Sequence, residues 1–192
     1  MARRTSRMLP LGTPAPPFAL RDTATGRMIA LEDFATSPAL LVAFMCNHCP
    51  FVKHILDGFV AFARDFGARG VAVVAISSND VGTHPYDSPV EMARIATLKG
   101  FTFPYLYDES QEVAQAYQAV CTPDLFLFDR NRRLAYRGQF DASRPGNDIP
   151  VTGADLRAAC EALLEGRPLP REQVASVGCS IKWKAGREPD WT

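Results

Sequence analysis

Cys46-Asn47-His48-Cys49-Pro50 places two thiols three residues apart with a histidine between them. Such a pair can close a small disulfide, and the thiolate form is the nucleophile of disulfide exchange. The chemistry on offer is a dithiol–disulfide cycle. Cys46 attacks a substrate disulfide, and Cys49 resolves the mixed disulfide that results. His48, when protonated, favours the thiolate, and stabilising the reduced form makes a dithiol the stronger oxidant. Two structural readings stand beside this one: half of a zinc site, or two buried thiols. No second Cys-x-x-Cys or His-x-x-His completes a tetrahedral metal set. A metal-binding or metallochaperone module would have to draw on Cys46, Cys49 and Cys121.

The other reactive side chains are more scattered. Cys121-Thr122-Pro123-Asp124 precedes a strand, and a proline at the mouth of a central strand needs a reason, because it cannot donate to the ladder. Cys121 is either a third thiol near Cys46, a metal ligand, or a small buried apolar residue. Cys179 stands near Trp183 in a polar tail and is carried as a second candidate for that third thiol. Cys160 follows Leu156 by one helical turn and is assigned to packing. His54 and His84 lack ligand spacing. Lys53 either adds positive charge near the thiols or is solvated, the reading preferred here. Asp33 and Asp57 are weighed as proton-transfer groups for Cys49 and are not assigned that role.

These residues need a scaffold. Leu40–Met45 is a continuous apolar run, as in a strand buried on both faces. From Pro50 the period changes: Val52, Ile55, Leu56, Phe59, Phe62, Ala63 and Phe66 predict an amphipathic helix over 50–66, ending at Gly67. Val71–Ile76 is a second buried strand, so the unit is βαβ with a parallel pair and a right-handed crossover. The dithiol falls at the strand-to-helix junction, where unpaired N–H groups and the positive end of the helix dipole favour a thiolate. Cys46 is expected to take that benefit, with Cys49 one turn deeper.

Ser88-Pro89-Val90-Glu91 predicts a capping box opening a helix that runs to Lys99. A strand at Tyr105–Tyr107, a helix over 111–119, a hairpin of Leu125–Phe128 with Leu134–Arg137, and a helix from Thr152-Gly153-Ala154-Asp155 to Leu164 follow. Ahead of all these, the proline-rich stretch 10–17 leads into a hairpin of Phe18–Leu20 and Met28–Leu31. The expected fold is α/β: a mixed central sheet flanked by helices, with an N-terminal β-hairpin. Residues 1–9 are expected to be flexible, 10–166 to form the domain, and 167–192 to form an irregular tail packed on it.

Composition narrows the function classes. The 21 basic and 21 acidic residues cancel, which argues against a nucleic-acid partner and a polybasic membrane anchor. No run approaches the roughly 18 apolar residues of a membrane span. Met1–Arg7 is basic, but the apolar stretch of a secretory signal does not follow it. Five cysteines are too few, and too odd in number, for a disulfide scaffold of this size. A cytoplasmic protein is expected.

With these residues in view the chain resembles the thioredoxin-like superfamily, in its redoxin branch of alkyl hydroperoxide reductase and thiol-specific antioxidant type. The resemblance rests on Pro14–Leu20 with the return Gly26–Leu31, on Phe44–Pro50, and on Cys121–Asp129, and covers roughly residues 10–165. Gly178-Cys179-Ser180-Ile181-Lys182-Trp183-Lys184 resembles the end of a peroxiredoxin-like subgroup that also carries Cys-Asn-His-Cys-Pro. The resemblance implies a thioredoxin-like fold and a cis Thr122–Pro123 bond beside the dithiol, with the Thr122 backbone free to pair with a substrate chain. It implies no cofactor. The partners it implies are a thiol, disulfide or peroxide substrate and an electron donor such as a thioredoxin or glutathione system. One departure stands out. A peroxiredoxin motif aligned on Cys49 has Cys46 where the peroxide-binding hydroxyl belongs and Val42 where its proline belongs. Thiol peroxidase activity is therefore the alternative to thiol:disulfide exchange. Arg137 and Arg144, the guanidinium candidates, are expected on the surface.

Overall fold

The computed structural model describes residues 3–191. In chain order the elements are β1 (Arg3–Thr5), β2 (Ala19–Asp22), β3 (Met28–Ala30), β4 (Ala39–Phe44), α1 (Pro50–Gly67), β5 (Val71–Ser77), α2 (Pro89–Lys99), β6 (Tyr105–Tyr107), α3 (Glu112–Ala116), β7 (Cys121–Thr122), β8 (Asp124–Phe128), β9 (Leu134–Tyr136), α4 (Ala154–Leu164) and β10 (Val177–Ser180). Short 3₁₀ turns occupy Leu31–Phe34 and Pro85–Asp87. Among these helices none is long and apolar enough to cross a membrane.

Seven strands form one mixed sheet in the order β3-β2-β6-β5-β4-β8-β9. The pairs β4–β5 and β5–β6 are parallel, while β8 runs antiparallel to β4. Every residue of β4 is buried, as its unbroken apolar run requires. Alternate side chains serve two cores. Leu41 and Ala43 meet Phe59 and Phe62 of α1 and Leu156 of α4, whereas Leu40, Val42 and Phe44 meet Ala114 of α3, Tyr117 and Phe126. Helices therefore cover both faces, and β4, an inner strand, delivers the Cys46–Cys49 loop at its C-terminal end.

The structure departs from expectation at both ends. Met1 and Ala2, within the stretch expected to be flexible, lie outside the described residues, but Arg3–Thr5 is a strand paired antiparallel with Val177–Cys179. The expected irregular tail likewise contains β10, which pairs on its other edge with β7. Both segments are short and carry no usable alternation; backbone pairing with distant chain makes them strands. Helix α3 is shorter than the expected 111–119, because Gln111 and Gln118 take left-handed conformations at its two ends (φ 65° and 49°). Ser88 does precede α2, yet its side chain makes no capping bond, so the predicted box is not formed.

Candidate active site

Local chemistry sets the frame of the site. After β4 the Met45 N–H bonds the Ile76 carbonyl, and the chain turns through the loop to Pro50, the first residue of α1. A proline bars the residue before it from helical backbone angles. Cys49 accordingly sits at φ −66°, ψ 123° as the N-cap of α1, and Cys46 lies in the loop ahead of the helix. This corrects the expectation that Cys46 would hold the helix end with Cys49 a turn deeper. The unpaired N–H groups of the first turn face Cys49.

Both sulfurs lie against Thr122, and their acidities move in opposite directions. The Cys46 hydrogen bond, acting against burial, draws Cys49 from 9.0 down to about 4; bonds from Cys179, the Val52 N–H and the Thr122 hydroxyl add to it. The Thr122 carbonyl, 3.1 Å from Cys49 Sγ, pairs with the protonated thiol and opposes them. Cys46 moves the other way: its bond to Cys49, its burial and the Asp87 carboxylate all raise it. The Thr122 hydroxyl lies 3.4 Å from Cys46 Sγ. Exposure is 1% for Cys46 and 0% for Cys49, but Cys46 alone of the two lines a cavity of about 200 Å³. Val52, Leu56, Ile95 and Phe101 form its apolar wall, with Lys53 and Lys99 also lining it.

His48 turns its ring to Asp87, with a ring nitrogen within 4.8 Å of Cys46 Sγ. Its Nδ1 lies 2.5 Å from Asp87 Oδ2, and its ring centroid is 4.8 Å from that of His84. Asp87 is fully buried and also accepts the backbone N–H groups of Asn47 and His48 and the Asn79 amide. Burial pushes its carboxyl up, but His48, Asn79 and the Asn47 N–H outweigh that and hold it below the usual range. The anchor of the loop is thus a carboxylate that sequence reasoning missed. Its only local signal is a proline-led turn, and no spacing links it to the motif forty residues earlier.

Cys46, His48 and Asp87 bring ligand atoms within 4.8 Å of one another, a grouping able to hold a metal ion and different from the expected Cys46, Cys49 and Cys121. Four hydrogen bonds already saturate Asp87, and a metal would have to displace some of them. Cys121 points its Sγ at the Pro123 carbonyl, 3.6 Å away, and burial pushes it well up. Cys160 is buried in α4, pushed up to about 12 by its burial. Asp33 accepts the Ala30 N–H, and Asp57, 82% exposed, pairs with Lys99, so neither serves Cys49. His54 is half-buried on α1, and Lys53 is exposed.

Arg137 is fully buried beside Asp124 and over the Phe126 ring, not on the surface as expected. It acts on Cys121. Arg144 is half-buried and donates to the Asp141 and Ser143 carbonyls. Neither is among the largest influences on Cys49.

The Thr122–Pro123 bond is cis, beside the dithiol. The free Thr122 edge that the resemblance implied is absent. β10 fills it, with Cys179 opposite Thr122 and Ser180 opposite Cys121. The approach is so close that a Cβ on Gly178 would lie 1.9 Å from the Thr122 carbonyl oxygen. This sets Cys179 in the same buried cluster as Cys49; burial first, and Cys49 after it, push Cys179 up to about 12. Of the two candidates for a third thiol, Cys179 makes contact with the pair and Cys121 faces away.

The sequence profile of the AhpC/TSA family matches residues 11–137. A crystal structure of an uncharacterized conserved protein from Geobacillus kaustophilus superposes with a TM-score of 0.95 at 54% identity, covering 97% of this chain and 98% of that one. "Putative peroxiredoxin Rv2521" of Mycobacterium tuberculosis is 30% identical over 60% of this chain and 68% of its own. A thiol:disulfide interchange protein of the thioredoxin family from Chlorobium tepidum shares the fold at 18% identity, with a TM-score of 0.62 over 83% of this chain and 99% of that one. A thioredoxin-like sheet, a cysteine pair at its helix junction and the family match agree: the chain belongs to the AhpC/TSA family and is a thiol redox protein.

Proposed function

We propose that the protein is a thiol:disulfide oxidoreductase cycling Cys46 and Cys49 between dithiol and disulfide. The observation that carries this reading is that both sulfurs lie against Thr122 at the head of α1, while Cys46 and not Cys49 lines the cavity there. In the resting pair Cys49 holds the negative charge and Cys46 the proton. Cys46 passes that proton to Cys49 as its sulfur attacks a substrate disulfide, and one substrate thiolate leaves. Cys49 then gives the proton to the departing second thiol and attacks Cys46 Sγ. One disulfide is reduced, one is formed, and a single proton is returned. Because β10 fills the Thr122 edge, substrates enter by the cavity and not by adding a strand. That access suits a small disulfide or a narrow extended segment. A cytoplasmic thioredoxin or glutathione system as electron donor belongs to the same proposal.

The test is to mix reduced protein with glutathione disulfide and follow closure of the 46–49 disulfide. Cys46→Ser should lose the reaction; wild-type speed in that variant would end the assignment. The acidity of Cys49 favours a second reading, in which it attacks a peroxide. Against it stand the 0% exposure of Cys49 and the cysteine at the hydroxyl position. Stopped-flow mixing with hydrogen peroxide separates the two, since thiol oxidation no faster than that of a free cysteine excludes the peroxidase.

A further inference from the structure

We infer that β10 is an internal substrate strand, and that Cys179 receives the disulfide from the active-site pair. The inference rests on the dithiol reading above and extends it. In the step assigned here, the Cys179 thiolate attacks Cys49 Sγ of the Cys46–Cys49 disulfide. The Cys49–Cys179 bond forms, the Cys46–Cys49 bond breaks, and Cys46 leaves as a thiolate that takes up the proton Cys179 released. No outside oxidant or reductant is needed, because the number of disulfides is unchanged.

Three features of one arrangement converge on this step. First, the backbone of β10 pairs antiparallel with the residue preceding the cis-proline, and the register puts Cys179 opposite Thr122. An extended peptide bound to a sheet edge uses the same main-chain hydrogen bonds. Second, the docking is built for close approach: only glycine fits at 178, where any Cβ would collide with the Thr122 carbonyl. Third, the Thr122 carbonyl that β10 approaches lies 3.1 Å from Cys49 Sγ, the sulfur Cys179 would attack, and both cysteines belong to one buried cluster.

The strand is also held in place on every side. β1 pairs with its outer edge, the Ser6 N–H bonds the Ser176 carbonyl, the Ile181 N–H bonds the Val120 carbonyl, and the Lys182 N–H bonds Asn79 Oδ1. A cysteine there merely to fill space would not need this register against the residue before the cis-proline. Burial comes first among the causes that keep Cys179 protonated, with Cys49 adding to it. Oxidation of Cys49 removes only the part due to Cys49. The product stores the oxidised pair where both sulfurs are buried and returns Cys46 to the cavity as the way back.

Full-length protein oxidised with diamide, quenched in acid, alkylated and digested without reduction distinguishes the outcomes by mass spectrometry. The expected map contains both Cys46–Cys49 and Cys49–Cys179, the latter with alkylated Cys46. Gly178→Ala should lose the Cys49–Cys179 species and keep Cys46–Cys49. Should that variant fail to fold, Cys179→Ala carries the test: oxidised Cys179→Ala should show complete loss of alkylatable Cys46. A map in which Cys46–Cys49 forms and Cys179 is alkylated throughout overturns the inference and leaves the dithiol reading standing. Oxidised Cys179→Ala with as much free Cys46 as wild type overturns it as well. Absence of any Cys46–Cys49 disulfide would instead remove the dithiol reading itself.

Discussion

On the cavity side of the active-site loop, Cys46 meets the Asp87 carboxylate, the Thr122 hydroxyl and an opening of about 200 Å³. On the side covered by β10, Cys49 meets the S–H groups of Cys46 and Cys179 and the Val52 N–H, and it lines no part of that cavity. Three residues of separation put the sulfurs in opposite surroundings. On the side that can reach a substrate, the bond to Cys49 and burial keep the thiol protonated, and the buried Asp87 anion adds to both. The side rich in donors keeps the charge and is shut. Reactivity and access are therefore divided between two atoms in contact, and the proton between them is the coupling.

Removing the sulfur on the open side should have the largest effect: Cys46→Ser should bring disulfide reduction down to the uncatalysed background, while Cys49→Ser should still form a mixed disulfide at Cys46 that does not resolve. Mass spectrometry of the trapped adduct reads the difference, and an adduct on Cys49 in the Cys46→Ser protein would break the division. Next comes the anion. Asp87→Ala strips partners from His48, Asn79 and two backbone N–H groups at a buried site, and should cost about 3 kcal/mol of stability in urea unfolding. An unchanged midpoint would show that the loop is held by something else.

The charge on Cys49 predicts a pH dependence. Between about 4, its folded value, and 9.0, its ordinary one, the unfolded chain binds a proton that the folded chain does not. The stability of reduced protein must rise with pH through that window, and the contribution is lost as pH falls through about 4. Oxidised protein has no such group at 49, so the Tm of the reduced form relative to the oxidised form should climb from pH 5 to pH 8. A flat difference would mean that Cys49 is not the thiolate. The smallest effect belongs to Thr122→Val, which deletes a hydroxyl that favours the thiolate of either cysteine. At about 1 kcal/mol for one hydrogen bond, the thiolate absorbance midpoint should move up by less than about one pH unit.

Much of this site was legible before any coordinates. The helical period of Val52 to Phe66 and the apolar run of β4 are local patterns, and the elements formed nearly where they predict. Even the placement of Cys49 at the helix cap is written locally, in the proline that follows it; the rule for the residue before proline outweighs an intuition about turn depth. Asp87 was not legible, because a carboxylate that caps a loop forty residues away leaves no mark in spacing. Arg137 was misread for a related reason: an arginine at the end of a strand looks solvated until Asp124 and Phe126 close around it.

Neighbours along the chain dictate the two-faced sheet, the helix that begins at Pro50 and the dithiol at its head. Tertiary structure alone decided which sulfur carries the charge, which one faces a cavity, and that a third thiol rests on the pair. Those properties follow from desolvation and from hydrogen bonds made through space. The strand that delivers Cys179 exists because β1 and β7 supply its partners, and no pattern within its four residues announces it.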